Sequence, residues 1–175
     1  MTRPGPDRVA LLDAMAAHVL AHGLNTASLR PLAAAAGTSD RMLIYHFGSK
    51  DGLIAALLRH LADLMKLGLG DALPPGPFAT EAELLRTLVG LMRSAPFRPY
   101  ARVWFDILSA AAQGRTAHRA AGQEILGLYC AWIAELHPEG AAAAPRLLAL
   151  LEGILVLDAL DQGGLADAAL AAAGA

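Results

Sequence analysis

Between Ser28 and Lys50 the sequence holds two short stretches of helical spacing on either side of Gly37. Ser28 is a good N-cap for the first, and Pro31 lies in its first turn, where a missing N–H costs no intrahelical bond. Thr38, Ser39 or Asp40 can cap the second, which is expected to run to about His46 before Gly48-Ser49 breaks it. Gly37 supplies the left-handed backbone that a sharp turn needs. Two helices of about eight residues joined at such a glycine have the form of a helix-turn-helix. Leu29 and Leu32 can then face an earlier helix, with Leu43 and Phe47 on the same core. Ala33 and Ala36 are small enough for the pair to approach closely.

The rest of the chain extends this pattern. Asp7 caps a first helix carrying Val9, Leu12, Ala16, Val19 and Leu20, which stops at Gly23, while Pro4-Gly5-Pro6 ahead of it cannot be helical. Ser49 opens a longer fourth helix with Leu53, Leu57, Leu61, Leu64 and Met65 along one side. The clearest linker is Leu73-Pro74-Pro75-Gly76-Pro77. Helices are expected at roughly Thr80–Ser94, Pro96–Gln113, Thr116–Leu136 and Ala143–Asp161, with Gly163-Gly164 leading into an alanine-rich tail. The chain is 55% hydrophobic but only 5% aromatic, most of it alanine and leucine, with few β-branched residues. It therefore reads as all-α, with about nine helices at most. Its functional division is expected at residues 1–48 and 49–175. A length of 175 residues is enough to bury a core without staples.

Net charge is −2, but it is unevenly spread: residues 1–50 carry five cations and three acids, the remainder nine and thirteen. The first segment is thus positive relative to the rest, as a nucleic-acid surface requires. The lone Cys130 excludes an internal disulfide and a cysteine zinc site, and it reads as a small buried hydrophobe. His18 and His22 have metal-compatible spacing without a third ligand, so no metal and no cofactor is expected. No apolar leader or membrane-spanning stretch is visible, so a cytoplasmic location and no membrane partner are expected. There is no Gly-x-Ser-x-Gly, no nucleotide-binding loop and no metal cluster, and the chain does not read as an enzyme.

With Leu43 and Phe47 turned inward, Ser39, Asp40, Arg41, Met42 and Tyr45 face outward near the N-terminal end of the second short helix. That end meets base edges in the major groove. Tyr45 can hydrogen-bond a phosphate, and Lys50 can pair with one at the start of the next helix, where exposed N–H groups also attract anions. Ser28, which opens the first short helix, belongs to the same candidate surface. Residues 8–65 resemble the DNA-binding domain of TetR-family repressors. The likeness rests on Leu32-Ala33, Ala36-Gly37-Thr38-Ser39 and above all Leu43-Ile44-Tyr45-His46-Phe47-Gly48-Ser49-Lys50. It covers about a third of the chain. It implies that Arg30 and the Ser39–Met42 face read bases or adjacent phosphates, and that Thr38, Tyr45, His46 and Lys50 position the backbone. Ile44 departs from the tyrosine the family often has there. Asp40 repels phosphate unless it accepts from a cytosine or pairs with Arg41.

The expected helix around Ala143–Asp161 is apolar nearly all round, so it should be covered on more than one side. Leu147, Leu151, Ile154 and Leu155, with Ile125, Leu128 and Trp132 from the preceding helix, are the candidate dimer contacts of a four-helix interface. A two-fold dimer would present two recognition helices to a palindromic operator in double-stranded DNA. Met65, Met92, Arg102, Trp104, Phe105, Leu108 and Tyr129 are candidates to line a cavity for an apolar or aromatic effector, with Arg102, Asp106 and Gln113 as polar groups to orient it. The leading expectation is a ligand-responsive homodimeric repressor, in which the fourth helix couples effector to DNA. The other is a helical dimeric interaction protein whose DNA binding is weakened or lost.

Overall fold

In each of the first three helices a residue of capping type occupies the position before the first turn. α1 (Arg8–His22) starts at Asp7, whose carboxylate accepts from the Val9 N–H at 3.3 Å, and stops at Gly23 with φ 87°. α2 (Leu29–Ala35) follows Ser28, which takes the extended N-cap conformation without a side-chain cap bond. α3 (Asp40–Phe47) is capped by Ser39, whose hydroxyl accepts from the Met42 N–H at 3.3 Å. The computed structural model describes residues 7–25, 27–74 and 77–173. Pro4-Gly5-Pro6, the middle of the Leu73–Pro77 linker and the last two residues lie outside the described residues.

α4 (Lys50–Ala72) begins after Ser49, whose Oγ accepts from the Gly52 N–H at 3.0 Å. α5 (Glu81–Arg93) is capped by Thr80, and α6 (Arg98–Ala112) and α7 (Thr116–Leu136) follow. A 3-10 turn at Gly140–Ala142 leads into α8 (Ala144–Ala159) and then α9 (Gly163–Ala172). Among the described residues the nine regular elements longer than that turn are all helices, as the alanine-leucine composition predicts, and none is a strand.

The alanine-rich tail after Gly163-Gly164 is a helix, not an irregular end. Asp161 takes φ 57°, and the N–H groups of Asp161 and Gln162 reach back to Asp158 and Leu157. That is the left-handed helix stop usually built on glycine, here on one of the few other residue types that tolerate it. The glycines then fall in the first turn of α9, where they cost little. Alanine, the best helix former, carries the rest.

The helices form two compact units. One comprises the chain up to Met65 together with Arg102–Gln123; the other comprises Lys66–Ala101 and the chain from Glu124 onward. The sequence division at residue 48 therefore does not coincide with a packing boundary, because α4, α6 and α7 each contribute to both units. In the first unit Leu11, Met15 and Val19 of α1, Leu32 of α2, Leu43 of α3 and Leu53 and Leu57 of α4 are almost fully buried. His60 of α4 meets Asp13 of α1 at 2.7 Å.

In the second unit α8 packs on α5 and α9. Arg93 at the end of α5 fixes this corner. Its guanidinium grips Asp158 of α8 through Nε and Nη2 at 2.8 and 2.9 Å, and Asp167 of α9 through Nη1 at 2.8 Å. These two carboxylates hold Arg93 still more firmly protonated than an ordinary arginine. At the opposite end of α5, the fully buried His137 side chain lies 2.7 Å from Glu81, which also accepts from Arg146. The His137 Nδ1 accepts from the Glu139 N–H at 3.0 Å, so Nε2 carries the hydrogen given to Glu81.

Candidate nucleic-acid interface

The turn between α2 and α3 is closed by two bonds, Gly37 N–H to Ala34 O at 3.1 Å and Thr38 N–H to Ala33 O at 2.9 Å, with Gly37 at φ 62°. This is the two-bond helix stop that needs a left-handed residue. It satisfies the last carbonyls of α2 and sends the chain directly into Ser39 and α3. Leu32 and Ala33 of α2 and Leu43 and Phe47 of α3 are buried. The Arg8 guanidinium lies 4.7 Å from the centre of the Phe47 ring, closing the end of α3 with a cation–π contact.

What remains outside is polar and concentrated at the start of α3. Ser39, Asp40 and Arg41 are exposed, Met42 is 37% exposed and Tyr45 79%. A phenol left this far in solvent beside a buried Leu43 contributes little to folding. Arg30 and Ser28 on α2 are exposed, and Thr38 is half-buried in the turn. Lys50 is exposed at the first position of α4, next to helix N–H groups that carry the positive end of its dipole. His46 is half-buried, in edge contact with the Tyr45 ring at a centroid distance of 5.5 Å; its Nε2 is buried without a hydrogen-bond partner among the described residues. Each residue proposed from sequence for this surface thus lies on or beside the α2–α3–α4 turns. Sequence reading missed Gly52: a Cβ there would stand 2.4 Å from the Phe47 carbonyl oxygen, so the start of α4 is pressed against the end of α3.

The candidate effector residues are divided between the units. Met65, Arg102, Trp104, Phe105 and Leu108 belong to the first, Met92 and Tyr129 to the second. Arg102 donates to the Leu20 carbonyl of α1. Asp106, expected to orient a ligand, instead accepts from the Leu24 N–H at 2.8 Å and from the Asn25 side chain, tying α6 to the loop after α1. Gln113 donates to Ser109. Of the candidate dimer residues, Ile125, Trp132, Leu147, Leu151, Ile154 and Leu155 are already buried within the chain, and Leu128 is half-buried. Val156, Leu160 and Leu165 stay exposed, at 42%, 65% and 58%.

A helix-turn-helix with a buried inner face and an exposed polar outer face, within an all-α chain, defines a DNA-binding regulator class. Residues 11–57 match the model of the bacterial regulatory proteins of the tetR family. The chain is 28% identical over 165 residues to the HTH-type transcriptional regulator BetI of Serratia proteamaculans (strain 568), covering 87% of this chain and 81% of that protein. Two solved structures share its fold. A transcriptional regulator from Rhodococcus sp. Rha1 has a TM-score of 0.68 at 23% identity, covering 94% of this chain and 92% of its own. The multidrug binding protein EbrR complexed with proflavin has a TM-score of 0.70 at 24% identity, covering 95% and 97%. Residues 11–57 are thus similar to the DNA-binding domain of the tetR family of bacterial regulatory proteins, and the fold of the whole chain is that of solved transcriptional regulators. Among the described residues no helix is long and apolar enough to cross a membrane.

Proposed function

We propose that this regulator is a homodimeric repressor that occupies a palindromic operator and leaves it when a small apolar or aromatic molecule binds. The observation that carries the DNA part is the exposed Ser39–Met42 and Tyr45 face beside the buried Leu43 and Phe47. In this reading Arg41 and Ser39 reach base edges, Asp40 accepts from a cytosine or steadies Arg41, and Met42 gives apolar contact. Ser28, Arg30, Thr38, Tyr45, His46 and Lys50 set the register on the phosphate backbone.

The dimer would use the apolar residues that the chain leaves uncovered on α8 and α9, namely Val156, Leu160 and Leu165. Half-buried Leu128 would add to it. A release mechanism requires the effector to favour one arrangement of the dimer over the other. EbrR, in its complex with proflavin, is a relative by fold that holds an aromatic ligand. That supports the class of effector proposed.

The test is selection from a library of random duplexes over several rounds, with an Arg41→Ala, Lys50→Ala double variant alongside. Enrichment of a palindrome by the wild type alone supports the reading. No enrichment from a folded dimer contradicts it.

A further inference from the structure

Beside the recognition face, and sharing Ser28 and Lys50 with it, the first unit contains a cleft of about 440 Å³, within the size range of small-molecule sites. Its walls are the loop after α1, the first turn of α4 and the turn between α6 and α7. Leu24, Ala27, Ile54 and Ala110 make the apolar side. The α6–α7 turn is local chemistry: Gly114 takes φ 87°, and the N–H groups of Gly114 and Arg115 return to Ala111 and Ala110 at 3.0 and 3.1 Å. This stop turns the chain back and brings Arg115 and His118 to the cleft at the start of α7, opposite Lys50 and Asp51 at the start of α4.

The polar side is dominated by groups that carry or accept a proton. The cations Lys50 and Arg115 and the imidazole of His118 line the cleft with one carboxylate, Asp51, and neither cation nor the imidazole makes an ion pair among the described residues. The His118 Nδ1 is buried and has no hydrogen-bond partner among them. Burial and then the Arg115 cation hold the His118 imidazole below its ordinary value, with Lys50 acting the same way and Asp51 opposing. First-turn residues of two helices, α4 and α7, also line this space, so the positive ends of both helix dipoles lie beside it. Two cations without a carboxylate partner in a concave site, beside a histidine that can take up a proton, are the arrangement that binds an anion. Asp51 adds a requirement: the ligand needs a donor such as a hydroxyl beside its charge.

We propose that this cleft is a binding site for a small hydroxylated anion, a carboxylate or phosphate monoester, held by Lys50, Arg115 and His118, and that its occupancy opposes operator binding. The binding rests only on the cleft. The opposition rests on the proposed operator contact of Lys50: a ligand that neutralises this ammonium removes it from the DNA phosphate. This route to release lies at the DNA end of the chain and does not involve the apolar effector residues.

The test follows the His118 imidazole by NMR in the full-length protein during titration with lactate and, separately, with inorganic phosphate, chloride being exchanged to keep ionic strength constant. The expected result is a saturable shift with the His118 titration moved to higher pH, because a bound anion favours the imidazolium. Arg115→Gln should weaken it by about tenfold or more, the loss of a charge-assisted bidentate contact. A linear drift, or a saturable shift indifferent to Arg115→Gln, overturns the site. In a second arm on the selected duplex, probe at ten times its dissociation constant should lower operator affinity by about tenfold per subunit in the wild type. Arg115→Gln should bind that duplex normally and ignore the probe. If Arg115→Gln weakens operator binding without any probe, the cleft serves a DNA phosphate and the proposal is overturned. If the protein binds no duplex while the first arm succeeds, the repressor reading and the coupling fail but the anion site stands.

Discussion

Gly52→Ala should destabilise this protein although the position is helical, where alanine is ordinarily the better residue. The added Cβ would lie 2.4 Å from the Phe47 carbonyl oxygen and 3.3 Å from the Ser49 hydroxyl. The serine can rotate away, but the carbonyl cannot. It belongs to the last residue of α3, and the next residue, Gly48, is held at φ 80° by a 2.8 Å bond to Ile44. The start of α4 must therefore move off α3 by several tenths of an ångström or more. Forced repacking of this kind costs about 1–3 kcal/mol, set against a gain of about 1 kcal/mol from helix propensity. Gly90→Ala is the matched control: Gly90 is helical and exposed in α5, with nothing within 4 Å of its would-be Cβ. That variant should gain about 0.4–1 kcal/mol. The difference between the two variants isolates the clash, about 1–3 kcal/mol, or roughly 2–12 °C in Tm for a chain of this size. Thermal unfolding followed by circular dichroism reads it directly. The α3–α4 contact as described here is refuted if Gly52→Ala melts as high as Gly90→Ala.

Asp106→Ala should lower stability by about 1.5–3 kcal/mol in urea unfolding, because two donors of the Leu24–Asn25 loop lose a charged acceptor. His137→Leu should cost about 1–3 kcal/mol by the same assay, since it strands the Glu139 N–H and removes one of two donors to Glu81. Leu160→Glu with Leu165→Glu should leave the fold intact, because both side chains are exposed. It should weaken self-association by about tenfold or more in analytical ultracentrifugation, since each change occurs twice across a two-fold interface.

The recognition segment was legible because each of its boundaries is made by residues a few positions apart. Asp7, Ser39, Ser49 and Thr80 accept from N–H groups two or three residues on, and Gly23, Gly37, Gly48 and Gly114 take the left-handed backbone. The limits of α7 follow from the same chemistry. α9 was not legible, because its preceding stop is made by Asp161 instead of a glycine and the visible Gly163-Gly164 reads as a break. The coverage of α8 was legible in amount but not in source. Apolar residues on all sides say that several faces are buried, and here α5 and α9 of the same chain bury Leu147, Leu151 and Ile154. Asp106 illustrates a wider limit: its partner lies 82 positions away, so a structural staple and a ligand contact look alike in sequence. The anion cleft escaped for the same reason, since Lys50 and His118 meet only in the folded chain.

The central claim is that the exposed start of α3 reads base edges, and the most direct measurement is the affinity of wild type and Arg41→Ala for the selected duplex and for a scrambled duplex at equal salt. A base contact predicts a loss of about 1–3 kcal/mol per subunit on the selected duplex and near-equal weak binding of both proteins to the scrambled one. Equal affinity of the two proteins for the selected duplex, or the same loss on both duplexes, would show that Arg41 does not read sequence and would contradict the account.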